Sequence, residues 1–144
     1  MRDEQNERYR LGLPDMDAQH HYLYALFDRL EPSATVTDAA AAAPLLAEIE
    51  RYLLYHFACE EHLMRMYKFP QFAAHQGDHA GAENKLGQFL NDFEQRQLNP
   101  ARLRLFLTGW LMEHSRLSDA VYVAWIKQCR DEQTQSAAAS EPPD

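Results

Sequence analysis

Cysteine is nearly absent: Cys59 and Cys129 are the two in 144 residues. Two thiols cannot staple a small secreted scaffold. With no Cys-x-x-Cys pair there is neither a thiolate metal site nor a dithiol redox motif. Both are expected to be reduced, as in a cytoplasmic protein, and the opening MRDEQNERYR has none of the apolar core of a secretory signal. Glycine (5) and proline (7) are scarce beside alanine and leucine, which disfavours sheets and their tight turns and favours helix. Basic charge is also short, with 14 Lys+Arg against 22 Asp+Glu and a net charge of −8. A phosphate backbone demands a clustered basic face, so nucleic acid is not an expected partner. Membrane insertion is not expected either. The longest apolar stretch, residues 39–47, is mostly alanine, is broken by Pro44 and is far shorter than a bilayer span.

What remains is a chain of one-domain length whose 46% hydrophobic and 25% charged residues suit a globular core. Turn signals divide it into four segments of helical period. Residues up to about Pro14 read as an extended arm. The first helix is expected over residues 17–30, with Asp17 as N-cap and Glu31-Pro32 as the stop. The second begins at Ala39 or at Pro44, because Asp38 is a good cap whereas proline is best tolerated in a first turn. It ends near Lys68, ahead of Phe69-Pro70. The third covers residues 71–95. Asn99-Pro100 then supplies the N-cap and first residue of a fourth helix reaching Cys129. Residues 133–144 lack large apolar side chains and are expected to form a disordered tail. Short connections between the last three helices make neighbours antiparallel. The expected fold is therefore all-α: an antiparallel up-down four-helix bundle over residues 1–132, with an N-terminal arm.

Seven histidines are many for such a chain, and helical period sorts them. On the first helix Met16, His20, Leu23, Phe27 and Leu30 share a stripe, while His21 lies about 100° away. On the second, His56 and Glu60 continue the stripe of Leu45, Ile49, Leu53 and Met64, whereas His62 sides with Arg51, Tyr55 and Arg65. The third presents Phe72, His75, His79, Leu86, Phe89 and Phe93. The fourth presents Leu103, Leu107, Trp110, His114, Leu117 and Val121, with Asp119 on the neighbouring stripe of Leu111, Tyr122 and Ile126. Five histidines, Glu60 and Asp119 thus point into one core.

Any one of these alone reads as an ordinary hydrogen-bonded core residue. Together they do not, because each buried unpaired polar group costs on the order of 1–3 kcal/mol against a total domain stability of about 5–15 kcal/mol. Shared cations resolve the conflict. Counting from the turns at Pro70 and Asn99 leaves the groups about five residues, or roughly 7 Å, out of level, which helix tilt can absorb.

Seven donors exceed the four of a tetrahedral zinc site and suit two ions sharing carboxylates. Imidazoles with two carboxylates favour iron. The His-Glu-x-x-His zinc helix and the Glu-x-x-His pairs of ferritin-like sites are both absent. His114 and Asp119 stand i and i+5, ~140° apart on a regular helix. Either a π-type turn intervenes or Asp119 reaches around. The segments MDAQHH, HFACEE, HQGDH and WLMEHSRLSD, in this order between about Tyr9 and Tyr122, resemble the four ligand motifs of the hemerythrin family in its bacterial single-domain form.

The resemblance implies a non-haem di-iron centre with an oxo or hydroxo bridge. In it His75, His79 and His114 hold one iron, His20 and His56 the other, and Glu60 and Asp119 bridge the two. It implies reversible O2 binding at an open position of the second iron, for carriage, storage, delivery or sensing, without turnover. Phe57, Trp110, Leu111 and Ser115 would line the O2 pocket. The family usually has isoleucine where Ser115 stands. The hydroxyl either admits water or hydrogen-bonds O2 and quickens autoxidation, or it bonds back to the Leu111 carbonyl and faces away. Tyr9, in the arm, stands near a family tryptophan. Two other readings stay open: a di-iron redox enzyme acting on peroxide or nitric oxide, with small anions as further ligands, and a metal-free structural bundle.

Overall fold

A computed structural model of the chain describes residues 10–30 and 39–139; Tyr9 with the rest of the arm before Arg10, the loop 31–38 and residues 140–144 lie outside the described residues. Four helices, α1 (Pro14–Asp28), α2 (Ala39–Met66), α3 (Phe72–Glu94) and α4 (Pro100–His114), follow in order. α4 continues through a five-residue π-helical turn, Ser115–Asp119, into α5 (Ala120–Ala139). α1 packs on α2, α2 on α3, α3 on α4, and α4 back on α1. With α4 and α5 as one rod, this is the all-α antiparallel four-helix bundle that the short connections predict.

Helix ends follow local chemistry. Asn99 accepts a hydrogen bond from the Arg102 N–H at 3.2 Å, and Pro100 opens α4. α1 departs from expectation: it begins with Pro14 in its first turn and Leu13 as N-cap, ahead of Asp17. The Asp17 carboxylate accepts instead from the N–H groups of Leu11 (2.7 Å) and Gly12 (3.1 Å), tying the arm to the helix. α2 begins at Ala39, so the helix propensity of the alanine run outweighs the N–H missing at Pro44. α2 and α3 both end on left-handed residues that are not glycine, Lys68 (φ 53°) and Arg96 (φ 61°). Reverse bonds from Phe69 N–H to the Met64 carbonyl (2.8 Å) and from Gln97 N–H to the Asp92 carbonyl (2.7 Å) close these ends.

The last helix corrects two expectations. α5 passes residue 133, where a disordered tail was expected, and runs to Ala139. Residues 133–138 are exposed, so this extension rests on alanine propensity, helped by Thr134 Oγ1 donating to the Arg130 carbonyl at 3.0 Å. The second correction is the inward stripe. Leu117 and Val121, expected in the core with His114, are 52% and 44% exposed. The π turn inserts a residue and rotates the helix, so that Asp119, Tyr122, Val123 and Ile126 face inward in their place.

The apolar core is in two blocks. One gathers Leu23, Phe27, Leu53, Leu86, Leu107 and Leu111 with their neighbours. The other gathers Met16, Met64, Phe69, Tyr122, Val123 and Ile126. On every rod a polar group stands between them: His20 on α1, His56 and Glu60 on α2, His75 and His79 on α3, and His114 with Asp119 across the π turn. None of these seven is more than 5% exposed.

Candidate metal centre

The rods bring all seven residues to one layer, and the 7 Å offset suggested by residue counting is absent. Two groups of donors form, Glu60, His75, His79, His114 and Asp119 on one side and His20, His56, Glu60 and Asp119 on the other. Within each group, one donor atom per residue lies within 4.8 Å of all the others. Both carboxylates belong to both groups. The Nε2 atoms of His75 and His79 lie 3.0 and 3.2 Å from that of His114. Asp119 Oδ1 is 3.1 Å from the Nε2 atoms of both His75 and His114, and Glu60 Oε2 is 3.0 Å from His75 Nε2. On the other side Glu60 Oε1 is 2.5 Å from His56 Nε2, and Asp119 Oδ2 is 3.4 Å from His20 Nε2. His21 and His62 are exposed and take no part. The π turn answers the i, i+5 problem. A turn wider than an α-turn brings His114 and Asp119 to the same face.

These contacts are close, yet many are not hydrogen bonds. Both nitrogens of His20, Nε2 of His56, Oε1 of Glu60 and both oxygens of Asp119 are buried without a hydrogen-bond partner. Buried polar atoms are paired as a rule, so this concentration of convergent orphans fits a set of donors arranged around cations. The outer ring atoms support it. His56 Nδ1–H donates to Gln19 Oε1 at 2.7 Å and His79 Nδ1–H to Glu61 Oε2 at 3.3 Å. A proton held on Nδ1 leaves the Nε2 lone pair facing the centre. His114 Nδ1 is 3.9 Å from Asp78 Oδ2, which accepts from Ser118 Oγ at 3.3 Å.

The charges are mutually tuned. Burial works to lower the pKa of His20 and of His75, but the close carboxylates of Asp119 and Glu60 push both up to about 9. Burial likewise works to raise Glu60, and the charge of His56 with the close imidazoles of His20, His56 and His75 holds it well below the usual carboxylate range. Asp119 is lowered too: burial and Glu60 oppose ionisation, and His114, His20 and His75 outweigh them. Protons on His20 and His75 balance the two carboxylates. A divalent cation does the same, and its binding releases them.

Aromatic rings wall the three-histidine side. Phe57 stacks on His79 (centroids 3.9 Å apart, planes 7°) and Trp110 on His114 (4.5 Å, 13°), with 5.5 Å between Phe57 and Trp110. Phe57 also reaches the other side, 6.1 Å from the His56 ring. Leu111 is fully buried. Ser115 is buried as well and its hydroxyl makes no hydrogen bond, so the bond back to the Leu111 carbonyl is not formed. Four contributors were not singled out from the sequence as part of the site: Gln19, Glu61, Asp78 and Tyr122. Gln19 is one residue before His20, just off the apolar stripe, and a buried glutamine there is the one usable signal. Tyr122 sets its ring edge on His75 at 5.3 Å, and its pKa is raised by burial and by the nearby carboxylates.

Residues 11–126 match the family model described as the hemerythrin HHE cation binding domain. Bacteriohemerythrin of Stenotrophomonas maltophilia is 28% identical over 117 residues, covering 81% of this chain and 76% of that protein. Bacteriohemerythrin of Pseudomonas aeruginosa is 27% identical over 121 residues, covering 84% and 79%. A crystal structure of wild-type hemerythrin has the same fold, with a TM-score of 0.72 at 22% identity over 79% of this chain and 88% of that one. The family model spans most of the chain and includes every one of the seven donors: the chain belongs to the hemerythrin family.

Proposed function

We propose that the chain binds O2 reversibly at a non-haem di-iron centre, as a carrier, store, delivery protein or sensor and not as an enzyme. The observation that carries this reading is the sorting of five buried histidines into two donor groups that share both buried carboxylates. His75, His79 and His114 would hold one iron, His20 and His56 the other, and Glu60 and Asp119, with an oxo or hydroxo group, would bridge them. When bound, the iron pair supplies the electrons that O2 takes up and gives back. The protein's part is to hold and to exclude. Gln19 and Glu61 fix the rings of His56 and His79 with Nε2 inward. Phe57, which reaches the His56 ring at 6.1 Å, and the buried Leu111 would present apolar surface that keeps water and protons from the ligand, while Trp110 covers His114. The reading includes a cytoplasmic location, in keeping with two free thiols. No helix among the described residues is long and apolar enough to cross a membrane.

The test is visible absorption of protein with counted iron through anaerobic reduction and re-aeration. A charge-transfer band that appears with O2 and disappears under argon is expected. Direct passage to the ferric form, with no reversible band, overturns the reading.

One observation favours a second reading, a redox enzyme acting on peroxide or nitric oxide. The Ser115 hydroxyl, one residue after His114, is buried without a hydrogen-bond partner, and Ser115 lines a surface cavity with Leu11, Met112 and Arg116; under this reading it supplies a hydrogen bond that an apolar side chain could not. Under this reading Ser115→Ile slows autoxidation and lowers peroxide or nitric oxide turnover. Equal rates in the variant and the parent dispose of it.

A further inference from the structure

The seven donor residues are at most 5% exposed, so an ion must have a way in. Stacked rings cover the three-histidine side and the two apolar blocks close the ends. His20 is placed differently. Although only 1% exposed, it lines a surface cavity of about 490 Å3 together with Asp17 and His21 of α1 and Arg10 and Gly12 of the arm. Three other surface cavities, of about 350 to 620 Å3, touch none of the seven. Asp17 stands one turn before both histidines of α1, i to i+3 and i+4, between the exposed His21 and the buried His20, whose ring has no hydrogen bond on either nitrogen.

The arm crosses this cavity as a strap. Its underside is held by Asp17, whose two oxygens accept from the Leu11 and Gly12 N–H groups. On its other side Lys127 Nζ donates to the Leu11 carbonyl at 2.9 Å. Gly12 has φ +92°, a left-handed conformation that favours glycine, and a Cβ there would fall 2.2 Å from Lys127 Nζ, so any other residue strains the backbone and pushes the lysine aside. With the strap down, both Asp17 oxygens accept from the arm and the cationic residue Arg10 is among those lining the cavity, which disfavours cations. With the strap lifted, Asp17 is a free carboxylate one turn from His20 and the arginine is gone.

We propose that the cavity of Asp17, His20 and His21 is the port through which divalent metal ions reach the centre, and that the strap of residues 10–13, latched by Lys127, is its gate. The proposal rests on the di-metal reading of the centre. A gate changes entry and exit together, because it lowers one barrier common to both and leaves the end states alone.

The test uses metal-free protein mixed with cobalt(II), followed by stopped-flow absorption, and loss of cobalt to excess EDTA. Lys127 is an exposed side chain outside the donor set, so Lys127→Met leaves the centre intact. Loading and loss should each quicken by about three- to tenfold, with unchanged metal per chain at saturation, as expected from losing one exposed hydrogen bond. The double variant Asp17→Ala/Lys127→Met loses both holds on the strap together with the transit carboxylate, and should still load more slowly than Lys127→Met because the carboxylate that passes the ion inward is missing. Unchanged rates in Lys127→Met overturn the gate, and equal loading by the two variants overturns the port. Saturation far from two ions per chain, whatever the rates, counts against the di-metal reading itself.

Discussion

The indole of Trp110 lies flat on the imidazole of His114, 4.5 Å between centroids and 13° between planes. The second tryptophan, Trp125, is half-buried in the apolar block beyond the centre, its Nε1–H donating to the Tyr67 carbonyl at 2.8 Å. A metal ion bound by His114 should therefore change the emission of Trp110 far more than that of Trp125. Trp110→Phe should abolish most of the fluorescence response to cobalt(II), and Trp125→Phe should keep it. A response surviving in Trp110→Phe would place the bound ion elsewhere.

Gln19 offers a cleaner handle on one half of the centre. It holds His56 Nδ1 through a buried bond at 2.7 Å, and His56 belongs to the two-histidine group alone. Gln19→Leu removes the acceptor that orients the ring, and loss of such an outer partner typically costs about 10- to 100-fold in metal affinity. Competition titration against a chelator should show one of two ions weakened by that factor and the other nearly unchanged. Equal weakening of both would mean that the two groups do not act as separate half-sites.

The π turn makes an asymmetric prediction about chain length. Removing Leu117, which is 52% exposed, should leave a plain α-helix with histidine and aspartate at i and i+4, still on one face. Adding one alanine after Leu117 should turn α5 by about 100° and carry Asp119 and Tyr122 away from the core. The deletion should keep metal content near the parent's and the insertion should lose it, as read by metal counting and thermal melts.

Metal-free protein prepared by chelation should have a defined pH window. His20 and His75 have folded pKa values of about 9, above the ordinary value of 6.5. The stability they contribute is complete below 6.5 and is lost as pH rises through about 9. Glu60 and Asp119 are shifted the other way, so their contribution is present above the ordinary carboxylate range and is lost as pH falls. Thermal melts should peak between those limits and fall on both sides. A midpoint that does not drop from pH 6.5 to 9.5 would show that these two imidazoles carry no compensating charge in the metal-free fold.

Much of the layer was legible in sequence because it interrupts apolar stripes in phase. His20 falls between Met16 and Leu23, His56 and Glu60 between Leu53 and Met64, and His75 and His79 between Phe72 and Leu86. Period counting failed where the backbone changes its own period. At 100° per residue Asp119 leaves the face of His114 and Leu117 joins it, and the π turn reverses both. Asp17 reads as a cap because aspartate before an apolar stripe usually is one, yet Pro14 starts the helix earlier and frees that carboxylate for the arm. The tail misled for another reason. Missing large side chains remove packing, not helicity, and alanine needs no partner to stay helical. Gln19, Glu61 and Asp78 join the site through contacts between different helices, which no single-helix pattern contains.

The two apolar blocks meet only across the ring of histidines and carboxylates, and all four rods pass through it. Among the described residues the blocks are unequal, with fourteen buried residues in one and seven in the other. Cooperativity therefore depends on the polar layer: with ions in place the halves melt as one unit, and without them the protein should come apart from the middle, each end loosening on its own.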